Sequence, residues 1–228
     1  IVSYLFLLDL GVGNAVVRYI AKYRVENNLN LSRKFLGIST LYYLVVAVLC
    51  LLLGGFLVAI YPHAFAKGLS SDEILLGREL LGITVLTSAV SLGTTGFSNT
   101  IVAYERFEIS KGLGIVQVLL RIAIIVLLLK LGFRSIGIVL ANLFLTIIFK
   151  LFNVAYVLGF LKIRPCFKDL DKSFIKEIIV YSSFILLQMV ATQINMFADE
   201  IMLGAFVVAS SYLIGIYGVG HQITEYFQ

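Results

Sequence analysis

Four polar side chains recur along the otherwise apolar segment 136–160: Asn142, Thr146, Lys150 and Asn153, at spacings of 4, 4 and 3. At about 100° per residue, these spacings put all four on one face of a helix. In the preceding apolar segment Gln117 and Arg121 stand one turn apart. Arg121 lies nine residues after Gly112 and ten before Leu131, about 14 Å from either end at 1.5 Å per residue. Lys150 is ten residues from the end of its run, where its stem reaches part of the way out. A charge at mid-membrane costs at least about 2.5 kcal/mol on insertion scales, so a paired or hydrated site is expected around these cations. Arg offers a fork of donors and Lys a point charge, a combination suited to phosphate or pyrophosphate.

Other polar residues follow the same pattern. Thr84, Ser88, Ser91, Thr95 and Ser98 form a stripe beside Gly93 and Gly96, best read as a helix–helix contact between small residues. Tyr181, Gln188, Thr192, Asn195 and Asp199 form a longer one. Acidic residues inside apolar segments are few: Asp9, the pair Asp199 and Glu200, and Glu225. Asp9 is placed to neutralise one of the two cations, but one carboxylate cannot neutralise both. A net positive interior is therefore expected, poorly suited to an organic cation.

The elements carrying these residues must be membrane helices. Of the 228 residues, 60% are hydrophobic and 14% charged, with a mean hydropathy of +1.01; a soluble chain is about 45–50% apolar and about 25% charged. The excess falls in runs of about 20 residues, the length that crosses a bilayer as a helix. Seven spans are expected: residues 1–19, 35–60, 79–104, 112–131, 136–160, 178–206 and from 212 onward. Runs such as 122–129 do not alternate as barrel strands would. The chain starts at Ile1 and stops at Gln228 inside apolar stretches, and reads as a piece of a longer protein.

Twelve of the 18 Lys and Arg lie at the end of or after the first, third and fifth spans, among them Arg18, Arg24, Arg33, Lys34, Arg106, Lys162 and Arg164. Only Lys67, Arg78, Lys130 and Arg134 follow the second and fourth. The first set is cytoplasmic by the positive-inside rule. This topology accounts for the net charge of +5 without nucleic acid as a partner. Residues 161–176, LKIRPCFKDLDKSFIK, form the long charged cytoplasmic connection between an N-terminal bundle, residues 1–160, and the start of a second, residues 177–228.

No phosphate loop, dinucleotide fingerprint or HExxH or CxxC pattern is present. Cys50 and Cys166 are placed for neither a disulfide nor a thiolate zinc site. No cofactor and no metal are expected, and the short loops leave no room for an enzyme active site outside the membrane.

Three stretches resemble one family: LLDLGVGNAVVRYIAKY at 7–23, AYERFEISKGLGIVQVLLRIAIIVLLLKLG at 103–132, and NMFADEIMLGAF followed by IGIYGVG. They are similar, in order, to the second helix, the helix 4 to 5 connection with its span, and the seventh and eighth helices of Wzx-type polysaccharide and O-antigen flippases. These belong to the MATE-like exporter superfamily. The resemblance implies an all-α, polytopic, two-bundle transporter, seen here from its second to its eighth helix, working by alternating access around a central cavity. It implies a cationic cavity for the pyrophosphate of an undecaprenyl-linked oligosaccharide. Arg18, Arg121 and Lys150 fit that role, with Gln117, Asn142 and Asn153 beside them. Asp9 and Asp199 match acids recurrent in the motifs and are candidates for charge pairing or for a coupling ion, H+ or Na+.

The expected function is therefore flipping of a lipid-linked oligosaccharide across the cytoplasmic membrane for surface polysaccharide synthesis, with the bilayer and that substrate as partners. A MATE-like exporter of small cations would want a cavity dominated by carboxylates. A membrane-embedded glycosyltransferase or polymerase would show a larger outer loop than residues 61–78.

Overall fold

The structure, a computed structural model, describes residues 9, 11–65, 71–132, 135–167 and 180–191. Most of these are helical, with no strand among the described residues. The order is α1 (Val12–Val25), α2 (Leu29–Phe65), α3 (Ser71–Gly93), α4 (Thr95–Ala103), α5 (Phe107–Lys130) and α6 (Ser135–Ala155). A π-helical turn, Tyr156–Phe160, ends α6, and Val180–Ala191 is a short apolar helix, α7. The chain divides into two compact units, Ile1–Ser182 and Ser183–Gln228; α1–α6 belong to the first. The span expected from residue 212, and most of the one at 178–206, lie outside the described residues.

Four helices are long and apolar enough to cross a membrane: Leu29–Pro62, Asp72–Gly93, Phe107–Lys130 and Ser135–Phe160. They show what lipid exposure demands. Leu44, Val48, Leu52 and Phe56 of α2 are exposed, and so are Ile115, Val118, Leu119, Ile122 and Val126 of α5. Such aliphatic faces are stable against hydrocarbon and would not be in water.

The protein-facing sides form two cores. Val12, Val16, Ile20 and Tyr23 recur at helical spacing on α1 and pack with Phe35, Leu36 and Tyr43 of α2 and Phe97 and Ile101 of α4. Val46 and Cys50 of α2 meet Val85, Ala89 and Leu92 of α3. Opposite its buried stripe, α1 exposes Asn14, Arg18 and Lys22, so its outer face is polar where those of α2 and α5 are aliphatic.

The span expected over 79–104 is two helices. It starts earlier, at Ser71, and breaks after Gly93. Hydroxyl bonds accompany the break: Thr94 Oγ1 donates to the carbonyls of Val90 (2.9 Å) and Ser91 (3.2 Å), and Thr95 Oγ1 to that of Ser91 (3.0 Å). Threonines that bond back onto the preceding turn bend helices, and Thr94 sits at φ −107°, ψ 2°, outside helical geometry. The expected span 35–60 is extended at both ends, from Leu29 to Phe65, because its polar flanks continue the helix beyond the apolar stretch.

The three segments expected on one side of the membrane come together at one end of this unit. Arg24, at the end of α1, pairs with Glu105, after α4, at 3.2 Å. Arg33 of α2 donates to the carbonyl of Lys162, after α6, at 3.5 Å.

Candidate functional site

α4 is only nine residues long, Thr95–Ala103, yet it lies among α1, α2 and α6. Its consecutive residues Ser98 and Asn99 point about 100° apart, and each meets a different polar group.

On the α6 side, Ser98 Oγ accepts from Lys150 Nζ at 3.4 Å and from Asn153 Nδ2 at 3.1 Å. Lys150 and Asn153 lie three apart and so share a face of α6, which explains why one hydroxyl reaches both. Asn153 Oδ1 is buried without a hydrogen-bond partner. A buried amide oxygen left open is costly, and it is an acceptor still available beside the Lys150 ammonium.

On the α1–α2 side lies Asp9. Its Oδ1 accepts from Tyr43 Oη at 2.5 Å, its Oδ2 from the Gly13 N–H at 3.4 Å, and its carbonyl from Tyr42 Oη at 3.2 Å. Asn99 closes the group: a Cβ on Gly13 would stand 2.7 Å from Asn99 Nδ2 and 3.3 Å from Tyr43 Oη. Glycine at 13 is what lets these side chains approach the start of α1. The carboxylate is thus held by a phenol and a backbone amide, not by Arg121 or Lys150.

Arg121 and Gln117 lie half-buried on α5, a helix with no fully buried residue among those described. Arg121 Nε is buried and has no hydrogen-bond partner, and the same holds for Asn142 Oδ1 on α6. α5 ends at Lys130 and α6 starts at Ser135. Counting from these ends at 1.5 Å per residue, Arg121 is about 14 Å deep and Asn142 about 10 Å, whereas Gln117 and Lys150 are about 20 and 22 Å deep. The polar residues of α5 and α6 therefore form two tiers.

Arg18 occupies the exposed face of α1. Its guanidinium lies 4.6 Å from the ring centroid of Tyr181 and 6.0 Å from that of Tyr19, within range of a cation–π attraction. Asp199 lies outside the described residues. Among the described residues no group of three or more His, Cys, Asp or Glu could hold a metal ion.

Ion pairs among the described residues sit at helix ends, although Arg33, Lys34, Lys162 and Arg164, also near helix ends, form none with a described residue. Lys22–Glu26, Arg24–Glu105 and Arg106–Glu108 pair at the ends of helices. Arg18, Arg121 and Lys150, all on helix interiors, have no carboxylate partner among the described residues.

Tyr43 and Asn99 carry no weight in a reading of the sequence. Tyr43 lies in a long aliphatic run, and Asn99 lies one residue off the Ser/Thr stripe; the polar doublet Ser98–Asn99 was the only local signal. Comparison with curated proteins and with solved structures gives no match. The family model described as Polysaccharide biosynthesis protein matches residues 2–228. A match over nearly the whole length, on a multi-pass helical chain carrying the motifs quoted above, is decisive: the chain belongs to the polysaccharide biosynthesis protein family, the Wzx/MATE-like exporters.

Proposed function

We propose that this chain is part of a flippase that carries a lipid-linked oligosaccharide, joined to its lipid through pyrophosphate, from the inner to the outer leaflet of the cytoplasmic membrane. The observation that carries the reading is the lack of counter-charge on the helix interiors: among the described residues Arg18, Arg121 and Lys150 have no carboxylate partner. Cations left without counter-charge inside a membrane protein are costly unless water or an anion reaches them. A pyrophosphate supplies that charge, with oxygens for Arg forks and the Lys ammonium. The polar outer face of α1, with Asn14, Arg18 and Lys22, is suited to water and sugar rather than lipid.

In this reading the headgroup crosses through a hydrated cavity while the lipid tail stays in the bilayer. Alternating access needs a site that favours one facing state when loaded, and a coupled gradient or consumption of the product supplies the direction. Lys150 is the central phosphate ligand, with Asn153 holding it beside Ser98. Arg121 and Asn142 form an outer tier, Gln117 lies level with Lys150, and Arg18 receives the headgroup from the cytoplasmic side. Nothing in these roles requires a bond to be made or broken, so the chain acts as a transporter and not as an enzyme. An exporter of organic cations would want a cavity dominated by carboxylates, and among the described residues Asp9, with each oxygen accepting a hydrogen bond, lies apart from Lys150 and Arg121.

Charge reversal tests the reading. In the full-length protein Lys150→Glu with Arg121→Glu is expected to abolish surface polysaccharide and to accumulate lipid-linked intermediates on the cytoplasmic side. Normal export by a stably inserted double variant would overturn it.

A further inference from the structure

A second cationic feature lies away from these residues, where the chain leaves α6. The π-helical turn and the extended segment after it fold back onto the first turns of α2 and line an open cavity of about 880 Å³. Arg33 and Lys34 of α2 line it, with Lys162 and Arg164 of the segment. No Asp or Glu is among its described lining residues, and none of the four cations forms an ion pair with a described residue.

The cavity is built rather than incidental. Lys162 is held in the left-handed region, at φ 55°, a conformation that costs free energy for a residue with a Cβ. Around it, the Ile163 N–H donates to the Val157 carbonyl at 3.2 Å and Ile163 is fully buried. The Cys166 N–H donates to the Arg33 carbonyl at 3.0 Å. This approach depends on Gly37, since a Cβ there would run into the Cys166 carbonyl. Arg33 is tethered through Nη2 to the Lys162 carbonyl (3.5 Å), while its Nε is buried without a partner. The N-terminal end of α2 adds its positive partial charge on the same side.

We propose that this cavity is a binding site for a phosphate group at the basic end of the bundle. Four like charges around one cavity repel one another, and an anion relieves that repulsion while satisfying the open Arg33 donor. A soluble pyrophosphate or the headgroup of an anionic lipid supplies the same chemistry, and the site stands independently of the transport reading.

The test uses Cys166, which lines the cavity, against Cys50, which is fully buried. Alkylation of Cys166 in the full-length protein is followed by mass spectrometry in nanodiscs at matched ionic strength. One arm adds inorganic pyrophosphate to phosphatidylcholine discs; the other replaces part of the phosphatidylcholine with phosphatidylglycerol. Saturable protection is expected in at least one arm, about tenfold with ligand at ten times its Kd. Protection by pyrophosphate identifies a soluble phosphate ligand, and protection by phosphatidylglycerol identifies a lipid headgroup. Arg33→Gln with Arg164→Gln is expected to remove it, and Lys111→Gln, outside the cavity lining, to leave it intact. Should the double variant fail to assemble, Lys34→Gln alone is expected to raise the half-protecting concentration several-fold, as for one lost charge-assisted contact. Equal alkylation rates in all conditions overturn the proposal, as does protection that survives unchanged in these cavity variants.

Discussion

Ser98 and Asn99 are neighbours on α4, and their side chains meet two different polar groups, one around Lys150 and the other around Asp9. The shortest helix in the bundle core thereby joins a cation and an acid that do not touch each other. Coupling between them passes through the single peptide bond that joins Ser98 to Asn99, which makes α4 the element whose variants are most informative.

Ser98→Ala removes the oxygen shared by Lys150 and Asn153. Leaving a part-buried ammonium and amide without that acceptor is expected to destabilise the protein by about 1–3 kcal/mol. Thermal unfolding in detergent reads the effect. The loss should shrink when Lys150→Met is already present, since a double-mutant cycle isolates the shared interaction.

Tyr43→Phe deletes the phenol bound to Asp9 Oδ1 and leaves a carboxylate oxygen open. A cost of about 1–3 kcal/mol is expected. Equal melting temperatures for Tyr43→Phe and the parent protein would contradict the role given to this bond.

Glycines on different helices should respond with opposite signs. Gly13→Ala brings a methyl within 2.7 Å of Asn99 Nδ2 and is expected to cost about 1–3 kcal/mol, as overpacking does. Gly112→Ala, on α5 with nothing within 4 Å of the added Cβ, is expected to stabilise by about 0.5–1 kcal/mol through helix propensity. A paired melting experiment decides both.

Glu105→Gln removes the partner of Arg24 in an exposed ion pair, 38% and 73% accessible on its two sides. Its effect on stability is expected to stay within about 1 kcal/mol and to vanish at high salt. A larger loss would mean that the pair fastens α1 to the α4–α5 turn.

What the sequence made legible follows from the physics of each feature. The apolar runs of α2, α5 and α6 stand out because lipid tolerates little else, and the stripe Asn142, Lys150, Asn153 follows from helical spacing alone. The break at Thr94 was hidden because hydroxyls bonding to their own backbone leave hydropathy unchanged. Ser98 looked like one more small residue in a contact stripe, since spacing places a residue on a face without saying which neighbour it meets. Asp9 was legible as an acid in an apolar segment. Its partner was not, because Tyr43 is 34 positions away and comes into reach only through the packing of α1 on α2.

The link between the segment after α6 and α2 runs from one main chain to another, Cys166 N–H to Arg33 carbonyl. Substitution can therefore recast the side chains of residues 164–167, and with them the charge and shape of the surface they present, while that link stays in place. The freedom is bounded by a single position, Gly37, where one added methyl would push the two backbones apart.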